Sequence, residues 1–206
     1  MIAIIDYGVG NLFSLKSSLD YLGLEGVVTS DRAVISDASH IILPGVGAFG
    51  DAAEKLRATG LFDFLKEQAH SGKPFLGICL GMQLLFEKSC EYGVHEGLGL
   101  VKGEVVPIKD YLPEDKKDLN IPQIGWNALH ITQESELLRY TNEGDCVYFV
   151  HSYFAKTDEK SLIASTEYGI EITAAVQNGN VFGTQFHPEK SGEVGLNMLK
   201  AFSRIG

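Results

Sequence analysis

The segment Lys73–Gln83, with the sequence Lys-Pro-Phe-Leu-Gly-Ile-Cys-Leu-Gly-Met-Gln, decides the fold of this chain. The apolar run from Phe75 to Ile78 predicts a buried strand, and the residues from Leu80 to Glu87 predict a helix directly after it. A cysteine, Cys79, stands at the corner between them. A strand that passes into a helix in this way is typical of an α/β fold.

The N-terminal half repeats this alternation of short apolar runs and helical spacing. Strands are predicted at Ile2–Ile5, Leu24–Thr29 and His40–Leu43, and helices at Leu12–Leu22 and Asp51–His70, the latter interrupted by Gly60. Strands that alternate with helices form a parallel sheet with helices on both faces. We therefore expect such a sheet at the centre of the fold.

The C-terminal half predicts mainly strands. They are expected at Val101–Ile108, Gly125–Ile131, Cys146–Ala155, Ile172–Gln177 and Asn180–Phe186. Asn178-Gly179 predicts a type I′ hairpin turn, Ser191 is the expected N-cap of a last helix, and Lys109–Ile121 is expected to be an exposed loop. We expect one domain over residues 1–206, with a mostly parallel central sheet flanked by helices and an antiparallel β extension.

The composition excludes several classes of partner. The chain has 206 residues, with Lys+Arg 17 against Asp+Glu 27 and a net charge of -10. This charge argues against binding to nucleic acid or an anionic membrane surface. No apolar run approaches the roughly 18 residues of a membrane span, and the run Ile2–Ile5 is too short for a signal peptide. Three widely spaced cysteines predict no disulfide framework and a cytoplasmic location.

Cys79 is the first candidate catalytic residue. Gly77 and Gly81 lie two residues to either side of it, as in a nucleophile elbow with sulfur in place of oxygen. A sharp strand-to-helix turn would bring neighbouring side chains at these positions into collision, so glycine is expected there. The amides and positive end of the new helix would favour a thiolate. A small buried cysteine in a tight turn is the alternative interpretation.

His187-Pro188-Glu189 is the second candidate, at the end of a predicted strand, where sites gather in open α/β sheets. His187 could act as general acid and base, and Glu189 could orient its imidazole. A purely structural turn is the alternative. The presence of both Cys79 and His187 favours a catalytic role for each, because a cysteine nucleophile needs a base. The third element is the run from Leu43 to Gly47, whose glycines could turn a backbone amide towards an anion. It would complement the amide of Leu80 as an oxyanion donor.

Cofactor and metal signatures are not found. Gly8-Val9-Gly10 follows the first strand, but position 13 is Phe13, so the dinucleotide-binding fingerprint fails. The histidines show no metal-ligand spacing. We expect neither a cofactor nor a metal.

Taken together, these motifs resemble the class I (triad) glutamine amidotransferase family over the whole chain. The matching segments are Asp6–Asn11, Pro44–Gly47, Gly77–Gln83, Gly125–Asn127, Tyr148–Tyr153 and His187–Ser191. Within the family, Val46 between Gly45 and Gly47 is typical of the glutaminase subunits of histidine biosynthesis. The resemblance implies a single glutamine amidotransferase type 1 domain.

The resemblance also implies a role for each matching residue. Cys79 would attack the side-chain amide of L-glutamine to form a γ-glutamyl thioester, with His187 and Glu189 as its triad partners. The amides of Val46 and Leu80 would form the oxyanion hole. Residues that would hold the glutamine are Gly47, Gln83, Glu91, Ser152 and Tyr153. Residues that would meet a partner subunit are Asn11, Trp126, Tyr148 and Lys190.

The partner implied by the resemblance is a (β/α)8-barrel cyclase that forms a heterodimer with this chain and uses the ammonia. Three alternatives remain at this point. They are an amidotransferase subunit that serves another acceptor, a free-standing cysteine hydrolase of the same fold, and a regulatory binding subunit on this scaffold. The intact set of Cys79, His187 and Glu189 argues against the last.

Overall fold

The strands and helices alternate in the first half of the chain, and strands dominate the second. A computed structural model describes residues 1–206. The strands are β1 (Ile2–Ile5), β2 (Gly26–Thr29), β3 (His40–Gly45), β4 (Phe75–Cys79), β5 (Lys88–Ser89), β6 (His95–Glu96), β7 (Glu104–Pro107), β8 (Gln123–Ala128), β9 (His130–Ile131), β10 (Cys146–His151), β11 (Tyr153–Lys156), β12 (Leu162–Glu167), β13 (Glu171–Asn178) and β14 (Val181–Thr184). The α-helices are α1 (Leu12–Tyr21), α2 (Arg32–Asp37), α3 (Phe49–Ala58), α4 (Leu61–His70), α5 (Leu80–Leu84) and α6 (Gly192–Phe202).

The central sheet has eight strands in the order β2-β1-β3-β4-β14-β13-β12-β9. The first five run parallel, and the last three are antiparallel to their neighbours. The predicted fold class, a mostly parallel sheet with an antiparallel extension, is confirmed. β4 lies between β3 and β14, so the carboxyl ends of these three strands are adjacent.

Two apolar cores cover the two faces of this sheet. On one face β1 and β3 pack against α3 and α4, and on the other they pack against α1 and α6. Successive residues of a strand point to opposite faces, so Ile5 belongs to the first core and Ile4 to the second. This explains why the central strands are apolar without interruption.

Two smaller sheets extend the central one. One pairs β10 with β8, and the other has the order β11-β7-β5-β6. The strand predicted over Cys146–Ala155 is broken at Ser152, because β10 and β11 join different sheets. The strand predicted over Val101–Ile108 is confined to β7.

The predicted hairpin lies where expected, but its turn type was wrong. Asn178 pairs with Val181, so the loop residues are Gly179 and Asn180. Only Gly179 has a positive φ, 59°, which is the pattern of a type II′ turn. The side-chain amide of Asn180 donates to the carbonyls of Ala69 at 2.8 Å and Lys73 at 2.7 Å. These bonds tie the turn to the start of β4.

One helix boundary and one unpredicted helix differ from the prediction, while the expected exposed loop is found. The helix after Cys79 ends at Leu84 rather than Glu87, because the amide of Leu98 bonds the Leu84 carbonyl that a longer helix would use. Helix α2 was not predicted; the Asp31 side chain caps it by accepting from the amide of Ala33. The expected loop Lys109–Ile121 contains short 3₁₀ turns and is largely exposed. None of the helices has the length and apolar character needed to cross a bilayer.

Candidate active site

Cys79 lies at the junction of β4 and α5 in a strained backbone conformation. Its φ is 55° and its ψ is -113°, a region that residues with a side chain rarely adopt. Such strain persists only where the surroundings impose it, and it is concentrated at functional sites. The residue is 7% exposed, so the elbow holds the sulfur in a nearly buried position.

The two glycines beside Cys79 are required by close backbone contacts. A Cβ on Gly77 would lie 2.6 Å from the carbonyl oxygen of Gly81, which agrees with the expected collision across the turn. A Cβ on Gly81 would instead overlap the carbonyl of Leu43 on the neighbouring strand β3. The second glycine therefore allows α5 to begin directly against β3.

His187 and Glu189 form a buried pair after β14. Nδ1 of His187 lies 2.8 Å from Oε1 of Glu189, and each side chain is 3% exposed. Burial lowers the pKa of the His187 imidazole, while the neighbouring Cys79 sulfur and the Glu189 carboxylate raise it, and the net value is about 9. His187 is therefore protonated at neutral pH and can give a proton to a leaving group.

A cavity of about 480 Å³ lies over Cys79. It brings together most of the predicted site residues, namely Val46, Gly47, Cys79, Leu80, Gln83, Glu91, Ser152, Tyr153, His187 and Lys190. Glu189 lies behind His187 and does not line it. A larger cleft of about 550 Å³, which includes Glu136 and Arg139, contains none of these residues.

A model of the glutamine amidotransferase class-I family matches residues 3–204 of the chain. The chain belongs to this family. The protein named imidazole glycerol phosphate synthase subunit HisH from Caldanaerobacter subterraneus subsp. tengcongensis is 52% identical over 206 residues, which covers 100% of this chain and 98% of that protein. The protein of the same name from Oceanobacillus iheyensis is 50% identical and covers 100% of this chain and 99% of its own length.

Solved structures with lower sequence identity share the fold of this amidotransferase. The structure described as PurLQS from Thermotoga maritima aligns with a TM-score of 0.75 at 20% identity, over 98% of this chain and 96% of that one. A structure described as a glutamine amidotransferase aligns with a TM-score of 0.73 at 17% identity, over 98% and 100%. At such identities the likeness concerns the fold alone.

Hydrogen bonds connect the loop that carries His187 to strand β10 in this amidotransferase. The amide of His187 donates to the carbonyl of Tyr148 at 3.1 Å. The hydroxyl of Ser191 donates to the His187 carbonyl at 2.7 Å and accepts from the amide of Tyr148 at 3.0 Å. Ser191 does precede α6, but it makes no side-chain cap bond there. The predicted capping role was wrong, because the hydroxyl bonds these two partners and not the first amides of α6.

Glu91 has a structural bond that was not foreseen. Its Oε2 accepts a hydrogen bond of 2.6 Å from the amide of Phe49, the first residue of α3. An acidic side chain at a helix N-terminus satisfies a free amide and complements the positive end of the helix. Since α3 follows the Pro44–Gly47 loop, Glu91 connects the cavity wall to the position of that loop.

Tyr7 and Gln185 are two buried polar residues to which no role was assigned from the sequence. The Tyr7 hydroxyl donates to the carbonyl of Pro44 at 2.9 Å, and burial raises its pKa. Gln185 lies at the end of β14 and its amide nitrogen is 3.8 Å from the sulfur of Cys79. Both lie just past the end of a central strand, Tyr7 after β1 and Gln185 after β14, and this position was the available signal.

Of the four residues expected to meet a partner, only Lys190 lines the cavity. The rings of Trp126 and Tyr148 are in edge contact at 6.1 Å, and Nζ of Lys190 is 5.9 Å from the centre of the Tyr148 ring. Trp126 is 56% exposed, so it is not a core residue. Asn11 caps α1 by accepting from the amide of Ser14 at 3.4 Å, and α1 contacts the Pro188–Lys190 turn.

Proposed function

We propose that this amidotransferase is the glutaminase subunit of imidazole glycerol phosphate synthase in L-histidine biosynthesis. The observation that carries the proposal is the identity of about half of all residues, over the whole chain, to proteins that bear this subunit's name. Val46 between Gly45 and Gly47 adds support. The subunit would hydrolyse L-glutamine to glutamate and supply the ammonia to a partner subunit.

The first half of the reaction forms a thioester. The sulfur of Cys79 attacks the side-chain carbonyl carbon of glutamine, and the amides of Leu80 and Val46 stabilise the oxyanion. The carbon–nitrogen bond then breaks, and His187 gives its proton to the leaving ammonia. The pKa of about 9 supports this step, because it keeps the imidazole protonated at neutral pH.

The second half of the reaction regenerates the enzyme. Water attacks the γ-glutamyl thioester, and His187, now neutral, takes a proton from it. The carbon–sulfur bond breaks, glutamate leaves, and Cys79 is restored. The carboxylate of Glu189, 2.8 Å from Nδ1, keeps the imidazole in one orientation and stabilises its charged form through both steps.

The glutamine would be held by the polar wall of the cavity. The proposed contacts are Gly47, Gln83, Glu91, Ser152 and Tyr153, all of which line it. The carboxylate of Glu91 and the free amide oxygen of Gln83 are acceptors that suit the α-ammonium group of the substrate.

The partner would be a (β/α)8-barrel cyclase that forms a heterodimer through Asn11, Trp126, Tyr148 and Lys190. It would form imidazole glycerol phosphate and aminoimidazole carboxamide ribonucleotide. Ammonia must travel as the neutral molecule, because an ammonium ion is a poor nucleophile and costly to bury. A closed route that starts beside Lys190 fits this need. Kinship with bacterial biosynthetic subunits supports a cytoplasmic location.

The test is glutamate release from glutamine, with and without a purified barrel cyclase and its ribonucleotide substrate. We expect a slow isolated chain that the complex accelerates, with imidazole glycerol phosphate as product. Cys79→Ala should abolish this activity but leave the complex able to use ammonium salts at high pH. Cys90→Ala, at an exposed cysteine, is the matched control. Full turnover without a partner would instead indicate a free-standing hydrolase.

A further inference from the structure

Gln185 joins the sulfur of Cys79 to the substrate wall of the cavity, beside His187 and Tyr7, the titratable groups that face the same sulfur. It is completely buried. Its Nε2 donates to the sulfur at 3.8 Å, and its Oε1 accepts from Nε2 of Gln83 at 3.0 Å. Gln83 in turn donates to the carbonyl oxygen of Tyr153 at 3.0 Å. A continuous polar chain therefore runs from a backbone carbonyl to the nucleophile.

The direction of every bond in this chain follows from its first member. A backbone carbonyl can only accept, so the group of Gln83 that faces the Tyr153 oxygen must be its NH₂. The second hydrogen of that NH₂ then points at Gln185, and this requires the oxygen of the Gln185 amide. The NH₂ of Gln185 is thereby turned towards the sulfur.

A second donor strengthens the origin of the chain. Nδ1 of His151 lies 2.8 Å from the same Tyr153 oxygen, so both lone pairs of that carbonyl are used. Burial holds the pKa of His151 at about 4, so the ring is neutral and Nδ1 carries its hydrogen. The Tyr153 oxygen therefore accepts two hydrogen bonds, one from His151 and one from the NH₂ of Gln83.

We propose that Gln185 is a positioning residue that holds an N–H donor on the sulfur of Cys79 and favours the thiolate. The proposal deepens the proposed function, because it presupposes that Cys79 is the nucleophile. A donor bonds an anion about twice as strongly as a neutral acceptor, so the bond selects the charged form. It also restricts the rotation of the sulfur before glutamine arrives.

The same chain connects the sulfur to glutamine binding. Both hydrogens of the Gln83 NH₂ are used inside the protein, so its Oε1 is the part left for a ligand in the cavity. When a donor group of the substrate bonds that oxygen, it polarises the Gln83 amide. The hydrogen bonds that the Gln83 NH₂ donates then become stronger. Occupation of the site would therefore strengthen the N–H donor on the sulfur through Gln185.

Alkylation of Cys79 by iodoacetamide as a function of pH tests the proposal in the full-length chain. The extent of reaction is read for each cysteine by peptide mass. Gln185→Met keeps the volume and removes the donor, so the midpoint of the Cys79 alkylation curve should move about one pH unit upward. Gln185→Glu places an oxygen against the sulfur and should move it further. In the complex, kcat should fall about tenfold while KM changes less than threefold.

Thr184→Val is the matched control. This neighbour in β14 is equally buried, and its hydroxyl has no partner, so the alkylation midpoint and kcat should stay at wild-type values. Gln83→Met, which removes the group that orients Gln185, should move the midpoint in the same direction and also raise KM. A residue with only a structural role would lower the melting temperature without moving the midpoint.

Two results separate this proposal from the function on which it rests. A folded Gln185→Met chain whose Cys79 alkylation curve and kcat match the wild type would overturn the role of Gln185 alone. Wild-type Cys79 that reacts no faster than Cys90 and Cys146 at neutral pH would contradict the nucleophile itself.

Discussion

At the scale of single residues, Gly81 allows helix α5 to begin against β3 directly after Cys79. A Cβ added to Gly81 would overlap the Leu43 carbonyl on β3. That carbonyl cannot move away, because β3 lies between β1 and β4 in the sheet. We expect Gly81→Ala to lower the free energy of unfolding by about 3 kcal/mol or more, since overpacking against backbone has no cheap relaxation. Urea denaturation measures the change.

Gly72→Ala is the control for this substitution. Gly72 has a φ of 89° but nothing within 4 Å of its virtual Cβ, so only backbone strain is added, about 1 kcal/mol. Equal losses for the two variants would mean that the contact with β3 is not the reason for glycine at position 81.

The charge of His187 predicts a pH dependence. Its pKa is raised from 6.5 to about 9, so the folded protein keeps the imidazole protonated up to about pH 9. The stability that this proton contributes is complete below about pH 6.5 and is lost as the pH rises through about 9. The same deprotonation removes the acid that serves the leaving ammonia. We expect kcat/KM for glutamine hydrolysis by the complex to fall on the alkaline side near pH 9.

Glu189→Gln should move this alkaline limb to lower pH, because the carboxylate is one of the groups that raise the His187 pKa. Glu193→Gln, at an exposed position in the first turn of α6, should leave the limb in place. An alkaline limb that does not respond to Glu189→Gln would contradict the assignment of the limb to His187.

Among the elements, the Pro44–Gly47 segment is the expected switch; its first two residues end β3, and Val46 and Gly47 lead on towards α3. The Tyr7 hydroxyl bonds the Pro44 carbonyl at its start, and the Glu91 carboxylate bonds the first amide of α3 after it. Val46, between them, is 39% exposed. A flip of one peptide would turn the amide of Val46 towards or away from the oxyanion. One such donor is worth about 10²–10³ in rate, so a flip alone could account for activation of that size by the partner and its nucleotide.

Val46→Pro removes the amide and should abolish this activation, with glutamine binding by the isolated chain kept. The measurement is glutamate release with and without the cyclase. Val46→Ala keeps the amide and should remain activated. An isolated wild-type chain that is already as fast as the complex would refute the switch.

At the scale of the whole molecule, the surface carries an exposed aromatic contact next to Lys190. Trp126 packs on Tyr148 across the β8–β10 pair, and buried aromatic anchors often dominate binding energy at interfaces. We expect Trp126→Ala to weaken association with the cyclase by about 2 kcal/mol, or about 30-fold in Kd. Titration calorimetry measures this, and Val28→Ala, on the edge strand β2, should leave Kd unchanged.

Lys190 should affect ammonia transfer more than affinity. It lines the cavity, follows Glu189 in sequence and approaches the Tyr148 ring. Lys190→Ala should therefore reduce the cyclase product formed per glutamine consumed, while glutamate release changes less. Both products are measured in one reaction. A ratio equal to that of the wild type would place the ammonia exit elsewhere.

Much of the fold follows from local pattern. Apolar runs and helical spacing locate β1, β3, β4, α1, α3 and α4 closely, because burial on one or both faces imposes these periods on the sequence itself. The boundaries that failed depend on distant partners. Helix α5 ends where the Leu98 amide takes the Leu84 carbonyl, and the turn at Gly179 is tied down by bonds from Asn180 to residues more than 100 positions away.

The sequence by itself determined the parallel sheet, the elbow at Cys79, the pair His187 and Glu189, and the resemblance to class I amidotransferases, since each is written in neighbouring residues. Only the tertiary structure decided that Gln185 donates to the sulfur, that Glu91 caps α3 and that Ser191 bonds His187 instead of capping α6. The physical reason is that a polar side chain has several possible partners. Which one it takes depends on the acceptors and donors that folding brings within about 3–4 Å of it.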